Sequence, residues 1–286
     1  MTSMRAIRKR REGIQNTEEI ARAMKLAATA RLKGARERAE AFRPFAGQME
    51  ELFAFVFRGA EAGGMNLQPR PSSGKRVVLA VTSDRGLAGG YSQNVVRLIA
   101  ESGLTPENTV VYTAGRKGRE SLEKKGYPIK GDFSWKDSAG AQKRAEEIAQ
   151  VLMEEFSWES GDELYLAYTV FVNPVRQVPR LLRLFALDSE EKQWGDQGAG
   201  VMEITLEPEE EELLRALKAG YAAAMIWTAF LEAEASENGA RMTAMEGAKE
   251  HAEEMLKEMN LAYNRLRQGA ITRELTEIMA GSGGIF

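Results

Sequence analysis

The sequence has no cysteine and a single histidine, and both shortages exclude classes of chemistry. Without cysteine there can be no disulfide, no thiol nucleophile and no cysteine-ligated zinc. His251 alone cannot build a histidine metal site or a Ser-His-Asp triad. No apolar run approaches the ~18 residues needed to cross a bilayer, so the sequence predicts no direct membrane span.

Proline is scarce too, and none of the eight prolines lies between residues 209 and 281. That stretch is rich in strong helix formers such as Ala, Leu, Glu and Lys. Pro208 and the acidic run that follows it suit the first turn of a helix. At about 1.5 Å per residue this helix would be roughly 110 Å long, more than a domain of this size can bury. We therefore expect a partner helix and a partner outside the chain.

An apolar repeat runs along this stretch from Leu214 to Ala270. Steps of alternately three and four residues land mostly on apolar side chains, with polar interruptions at Thr228, Asn238 and Lys249. A repeat that averages about 3.5 residues over such a length is typical of a left-handed coiled coil. A helix in an ordinary bundle is the alternative, and the unbroken length favours the coiled coil.

A second long helix is predicted at the amino end, over residues 4–59. The side chains on its apolar stripe are Ile7, Ile14, Met24 and Leu32, flanked by Ile20 and Ala27. Pro44 is expected to bend or interrupt this helix, because proline lacks the amide donor and clashes with the preceding turn.

Charge is unevenly distributed along the chain, although the net charge is only −3. Residues 1–43 carry twelve Lys and Arg against five Glu, a net charge of +7. Residues 203–258 carry fourteen Glu against five Lys and Arg, a net charge of −9. Opposite signs at the two ends favour pairing of the two helices. The basic run at residues 8–11 has no interleaved aromatic residues, so we expect no nucleic-acid partner.

The middle of the chain alternates between apolar runs and amphipathic stretches. Strands are predicted over residues 76–83, 109–113, 163–171 and 178–187, with a weak fifth over residues 201–206. Helices are predicted over residues 92–102, up to Gly126, and over residues 139–158. Such alternation indicates βαβ units and a largely parallel sheet. The sequence thus predicts an α/β fold in which a three-layer, Rossmann-like domain (residues 75–206) is inserted between terminal helices of residues 1–59 and 208–286.

A glycine-rich loop, Ser-Asp-Arg-Gly-Leu-Ala-Gly-Gly at residues 83–90, follows the first predicted strand. Many α/β folds bind nucleotide phosphates at this position. This loop has neither the glycine spacing of dinucleotide folds nor the Gly-Lys-Ser/Thr of a P-loop, so a structural turn is favoured over a nucleotide site. Ser236, Thr243, Thr272 and Thr276 have no basic partner of the kind that a nucleophile needs. The residues alone predict a mechanical or interaction element without catalytic residues or metal ligands.

Four blocks of the chain resemble the γ subunit family of F-type ATP synthases. The blocks are Ile7-Arg8 with residues 15–20 and 23–27, then residues 83–90, residues 235–245 and residues 263–278. The second block is similar to the family's S-D-R-G-L-C-G-G, with Ala88 where Cys is frequent. Arg11 stands where the family usually has an aliphatic residue. Order, spacing and total length agree, and the resemblance covers the whole chain.

The resemblance implies a non-catalytic central rotor shaft that couples transmembrane proton or sodium flow to ATP synthesis or hydrolysis. The terminal helices would form an antiparallel left-handed coiled coil inside a ring of α and β subunits. The α/β domain would bind the ε subunit and sit on the membrane ring of c subunits, at the cytoplasmic face of the bacterial cell membrane. The glycine loop of the family binds no nucleotide, so no cofactor is implied.

The resemblance also implies individual contacts to the α/β subunit ring. The residues at these positions are Met24, Arg241, Gln268, Thr272 and Glu274. An apolar tip over residues 275–286 would turn in a bearing at the top of the ring. Gly13, Gly239 and Gly269 would add flexibility to the shaft. Two alternatives stay open: a nucleotide-binding α/β enzyme dimerised by a helical hairpin, and a coiled-coil scaffold without rotary function.

Overall fold

The computed structural model describes residues 4–62, 75–133, 141–156, 162–185 and 210–282. Two long helices stand at the ends of the chain, α1 (Met4–Ala62) and α5 (Glu210–Ser282), of 59 and 73 residues. Three shorter helices lie between them: α2 (Tyr91–Glu101), α3 (Arg116–Lys124) and α4 (Ala141–Glu155). Both predicted terminal helices are confirmed.

The strands of the middle region form one five-stranded sheet in the order β3-β2-β1-β4-β5. They are β1 (Arg76–Val81), β2 (Thr109–Ala114), β3 (Ile129–Asp132), β4 (Glu163–Phe171) and β5 (Gln177–Leu184). β1 to β4 pair in parallel, and β5 is antiparallel to β4, which confirms the largely parallel sheet. Sequence analysis missed β3, because its four residues are short and polar. The weak strand predicted at residues 201–206 lies outside the described residues.

Helices cover both faces of the sheet, which gives three layers. Val78, Ala80 and Val111 pack against α2 and α3 on one face. On the other face, Leu79 and Val81 belong to the cluster that α1, α4 and α5 complete. Because both faces are covered, the last five residues of β1 are all buried, and the strand reads as a continuous apolar run.

The chain divides into two compact units. Unit 1 contains residues 1–29 and 241–286, and unit 2 contains residues 30–240. α1 and α5 therefore contribute residues to both. The predicted division at residues 1–59, 75–206 and 208–286 follows the secondary structure rather than these units, and it stays a prediction.

Within unit 1 the two helices are antiparallel, and side-chain pairs fix their register. Arg8 hydrogen-bonds Tyr263, and Lys25 pairs with Glu246. Residue numbers on α1 thus rise by 17 while those of their partners on α5 fall by 17. The two numbers of each pair sum to 271, which places every α1 residue of this unit opposite a known position on α5.

The heptad seam of unit 1 follows the predicted positions on α5, where Met245 and Ala252 are buried. On α1 the buried positions recur every seven residues, at Ile7, Ile14, Ala21 and Ala28. The predicted flanking residue Ile20 is instead 60% exposed. Sequence reading favoured the larger side chain, but the heptad phase places the alanines next to α5.

Of the bend or interruption expected at Pro44, the interruption is wrong, since α1 runs through Pro44 as one helix. Proline costs the hydrogen bond to the carbonyl of residue 40, but neighbouring contacts hold the helix in place. Phe42 packs edge-on against Trp227 with ring centroids 6.2 Å apart, and the guanidinium of Arg43 lies 2.7 Å from the carboxylate of Glu232. Tertiary packing therefore outweighs a local helix breaker.

The polar interruptions of the seam have partners within their own helix. The buried Asn238 amide donates to the carbonyl of Glu234 at 2.8 Å, one turn back. Lys249 Nζ lies 3.3 Å from the Glu253 carboxylate. Local bonding thus lowers the cost of placing these polar groups on the seam.

Burial in unit 2 makes this part of the fold sensitive to alkali. Desolvation is the main cause that raises the pKa of five tyrosines: Tyr112, Tyr127, Tyr165, Tyr168 and Tyr221. The folded state keeps these phenols protonated above the pH at which the unfolded chain releases the protons. The free energy of unfolding must therefore fall as pH rises past the ordinary tyrosine pKa.

We predict that stability to urea decreases steadily from pH 9 to pH 11, measured by circular dichroism. Tyr221→Phe should reduce the slope by up to about 1.4 kcal/mol per pH unit, the contribution of one proton. Comparison with this variant separates the tyrosine effect from that of other groups that titrate in the same range. An identical slope in the variant and the parent chain would contradict the argument.

Candidate functional site

The ring-contact residues that the resemblance implies all lie in unit 1, on the antiparallel helix pair. Met24 on α1 and Arg241 on α5 are half-buried, whereas Gln268, Thr272 and Glu274 on α5 are exposed. The Thr272 hydroxyl donates to the carbonyl of Gln268 at 2.9 Å.

Helix register separates these residues into two groups. Met24 lies opposite residue 247 of α5, because paired numbers sum to 271. Arg241 is then six residues away from Met24 along the axis, or about 9 Å. Gln268 is 21 residues away in the other direction, or roughly 32 Å. The structure thus brings Met24 near Arg241, and it places Gln268, Thr272 and Glu274 together near the carboxyl-terminal end.

The carboxyl-terminal end of α5 extends past its partner helix. Met4, the first described residue of α1, lies opposite residue 267 by the same register. Every residue from 271 to 280 is exposed. Ile271, Leu275 and Ile278, at helical spacings of four and three, are 44%, 57% and 67% exposed. An apolar stripe on a bare helix marks a surface that another molecule covers.

Polar contacts between α1 and α5 close the paired region just before this bare end. The guanidinium of Arg11 lies 5.8 Å from the centroid of the Tyr263 ring, and it donates to the Asn260 side chain at 3.3 Å. The hydrogen bond from Arg8 lowers the pKa of Tyr263. Arg11, a departure from the family pattern, therefore has partners of its own on α5.

The glycine loop at residues 83–90 is joined to the neighbouring β2–α3 connection. The Ser83 hydroxyl lies 2.7 Å from the Ser92 hydroxyl, and the Ser83 carbonyl accepts from the Lys117 amide at 2.9 Å. Asp84 accepts from the Arg116 amide at 3.0 Å. Polar groups at the start of the loop thus form hydrogen bonds within the protein. This favours a structural turn over a nucleotide site.

Two glycines, Gly115 just before α3 and Gly118 in its first turn, allow this close approach. Gly115 has a φ of 128°, and a Cβ there would lie 2.2 Å from the Thr82 carbonyl oxygen. The Thr82 hydroxyl donates to the Gly115 carbonyl and accepts from the Gly118 amide, both at 3.0 Å. Sequence reading missed this contact because Thr82 and Gly115 are distant along the chain.

Metal binding and membrane crossing are two other functions that the described residues could have served. Among those residues, no group of three or more histidine or carboxylate side chains is placed to hold a metal ion. Within these ranges too, no helix combines the length and apolar character that a membrane crossing requires.

Fold and site together define a class of protein: an antiparallel helix pair that carries an α/β domain and ends in a bare, partly apolar helix. Residues 3–284 match the family model described as ATP synthase. The chain therefore belongs to the ATP synthase family, as the γ chain of the complex that makes ATP. The resemblance drawn from the four sequence blocks is confirmed.

Individual relatives agree with this assignment. The ATP synthase gamma chain of Lachnoclostridium phytofermentans is 41% identical over 293 aligned positions, which cover all of both chains. A sodium ion specific γ chain of Acetobacterium woodii is 34% identical, with 96% of each chain covered. Among solved structures, a chain of the Euglena gracilis mitochondrial ATP synthase has the same fold, with a TM-score of 0.74. That match covers 99% of this chain and 94% of the other at 19% identity.

We predict that Gly115→Ala lowers the free energy of unfolding by more than about 2 kcal/mol. A side chain at positive φ is strained, and the Thr82 carbonyl leaves it no space. Gly86 lies in the loop between β1 and α2 and has open space around it. Gly86→Ala should therefore change stability by less than about 1 kcal/mol. Urea unfolding with an unchanged m-value measures both. Equal losses in the two variants would refute the close-approach argument.

Proposed function

We propose that this γ chain is the central rotor shaft of its complex and has no catalytic residues of its own. Rotation of the shaft would couple transmembrane ion flow to ATP synthesis or hydrolysis at catalytic β subunits. The observation that carries the proposal is the bare end of α5, where ten successive residues are exposed and several are apolar. An apolar surface has no directional bonds to break as it turns, which suits a bearing against surrounding subunits.

The bare end would turn inside the ring of α and β subunits. Gln268, Thr272 and Glu274 stand where the helix leaves its partner, so their polar groups are available to ring loops. Contacts that form in some rotary positions and break in others can bias rotation, whereas contacts equal in all positions shift nothing. Met24 and Arg241, roughly 30 to 40 Å from Gln268 along the axis, would form a second contact zone.

The remaining partners follow from the same arrangement. We propose the terminal stretches, residues 1–59 and 208–286, as the shaft, and residues 75–206 as the domain that binds the ε subunit and the c-ring. We also propose that the chain lies peripherally at the cytoplasmic face of a bacterial cell membrane. Proton and sodium both remain candidate coupling ions, since the groups that bind the ion belong to other subunits.

A substitution experiment tests the contacts at the bare end. Glu274→Ala and Gln268→Ala should each reduce ATP synthesis by the assembled complex by about five- to tenfold. The loss of one state-dependent polar contact is worth about 1–1.5 kcal/mol of barrier. Glu258→Ala, exposed on the same helix within the paired region, serves as the matched control and should keep wild-type turnover. Unchanged synthesis in both contact variants would show that these residues do not couple.

Two further measurements address the alternatives. The isolated chain should neither hydrolyse ATP nor bind it at residues 83–90, and occupied nucleotide density in that loop would favour the enzyme interpretation. Deletion of residues 273–286 should impair the assembled complex. Full activity after this deletion would favour a scaffold without rotary function.

A further inference from the structure

The face of α5 that packs on the sheet combines small and large apolar side chains. Ala222, Ala229 and Ala233 are fully buried there, beside the large side chains of Ile226 and Phe230. Apolar contact is non-directional. This surface holds the helix against the sheet, but it supplies no directional bond between them.

A buried carboxylate supplies the missing direction. Glu232 is 4% exposed and accepts from the Arg43 guanidinium at 2.7 Å and from the Phe171 amide at 2.8 Å. Arg43 also donates to the Phe171 carbonyl at 3.0 Å. Its hydrogen bond to Glu232 raises the pKa of Arg43. One cluster of hydrogen bonds therefore joins α5, α1 and the end of β4.

The same face of α5 continues this contact over the next two turns. Ser236 donates to the Thr169 carbonyl of β4 at 3.1 Å. A Cβ at Gly239 would lie 3.3 Å from Phe171 and 3.5 Å from Pro174, so a side chain there would press on Phe171 while only touching Pro174. Gly239 therefore allows a close fit between α5 and the β4–β5 turn, and the flexibility expected of it stays a prediction.

The turn between β4 and β5, on which Gly239 rests, is itself braced. The Asn173 side chain accepts from the amides of Val175 and Arg176 at 3.0 and 2.7 Å. Gln177 donates to the Pro174 carbonyl at 2.7 Å. Because these hydrogen bonds hold the turn in one conformation, α5 packs on a rigid surface at this point.

We propose that Glu232, Arg43, Ser236 and Gly239 form the torque-bearing joint between α5 and the α/β domain. This inference rests on the proposed rotor function. A shaft under load would slip first where contacts are non-directional, so the directional hydrogen bonds of this joint set how much torque the domain transmits. These are positioning residues, since they act through the helix and touch no nucleotide.

A neighbouring ion pair provides the control. Arg38 donates to both carboxylate oxygens of Glu234, at 2.8 and 2.9 Å, and so joins α1 to α5 only two residues away from Glu232. The sheet takes no part in these two hydrogen bonds. Charge removal in this pair should weaken helix pairing without freeing α5 from the α/β domain.

The test uses the assembled complex in sealed vesicles, with Glu232→Gln, Arg43→Gln and, as the control, Arg38→Gln. Ions pumped per ATP hydrolysed are measured with and without an opposing membrane potential, and ATP hydrolysis is also measured after the soluble sector is detached. Under load the two joint variants should pump at least threefold fewer ions per ATP. Detached hydrolysis should stay within twofold of the parent, and Arg38→Gln should pump normally. Ser236→Ala removes a single hydrogen bond and should show a smaller loss of ions pumped per ATP. This variant tests the joint if a charge variant fails to assemble.

Each outcome bears on the joint. An unchanged pumping ratio under load would overturn it, and so would hydrolysis that falls in parallel with pumping, because that pattern indicates general misfolding. If a complex assembled without this chain still pumped ions, the proposed rotor function would instead be overturned. The two failures are therefore distinguishable.

Discussion

The antiparallel pairing of α1 and α5 is the constraint on which the other features depend. A 73-residue helix exposes an apolar stripe along its length, and a second helix has to cover it. In unit 1 the seam is built from side chains such as Ala21, Ala28 and Ala252. A buried alanine stabilises less than a buried leucine, which contributes about 1.5–3 kcal/mol. The helices therefore pack closely but with little stabilisation per residue. Charged pairs such as Lys25–Glu246 fix their register.

Where this pairing ends, the exposed surface begins. α1 starts opposite residue 267, so residues 271–280 of α5 have no described residue of α1 beside them. The same register that stabilises the pair also sets the position of the bare end. In unit 2 the sheet supplies the apolar surface on which α5 packs. Large side chains such as Phe230 and Ile226 are fully buried in that core. The buried Glu232 then adds directional hydrogen bonds to this apolar contact.

Much of the fold could be predicted because its signals are local. The helix formers of α5, the apolar runs of β1 and β4 and the heptad step are all visible in short windows. The misses arose where distant residues decide. β3 forms because β2 offers a parallel edge, and Pro44 is tolerated because flanking residues pack. Gly239 lies close to the β4–β5 turn, which is distant along the chain. None of these can be read from neighbours along the chain.

By itself, the sequence determined the two terminal helices, the inserted α/β domain and, through four motif blocks, the family. Propensity and periodicity suffice to predict elements of this length, because the small preference of each residue for one secondary structure adds up along the element. Only the tertiary structure decided the register of the helix pair, and with it which residues are bare, which lie opposite one another and which carboxylate is buried. Those properties depend on contacts between residues 61 to 255 positions apart, and local propensity carries no information about them.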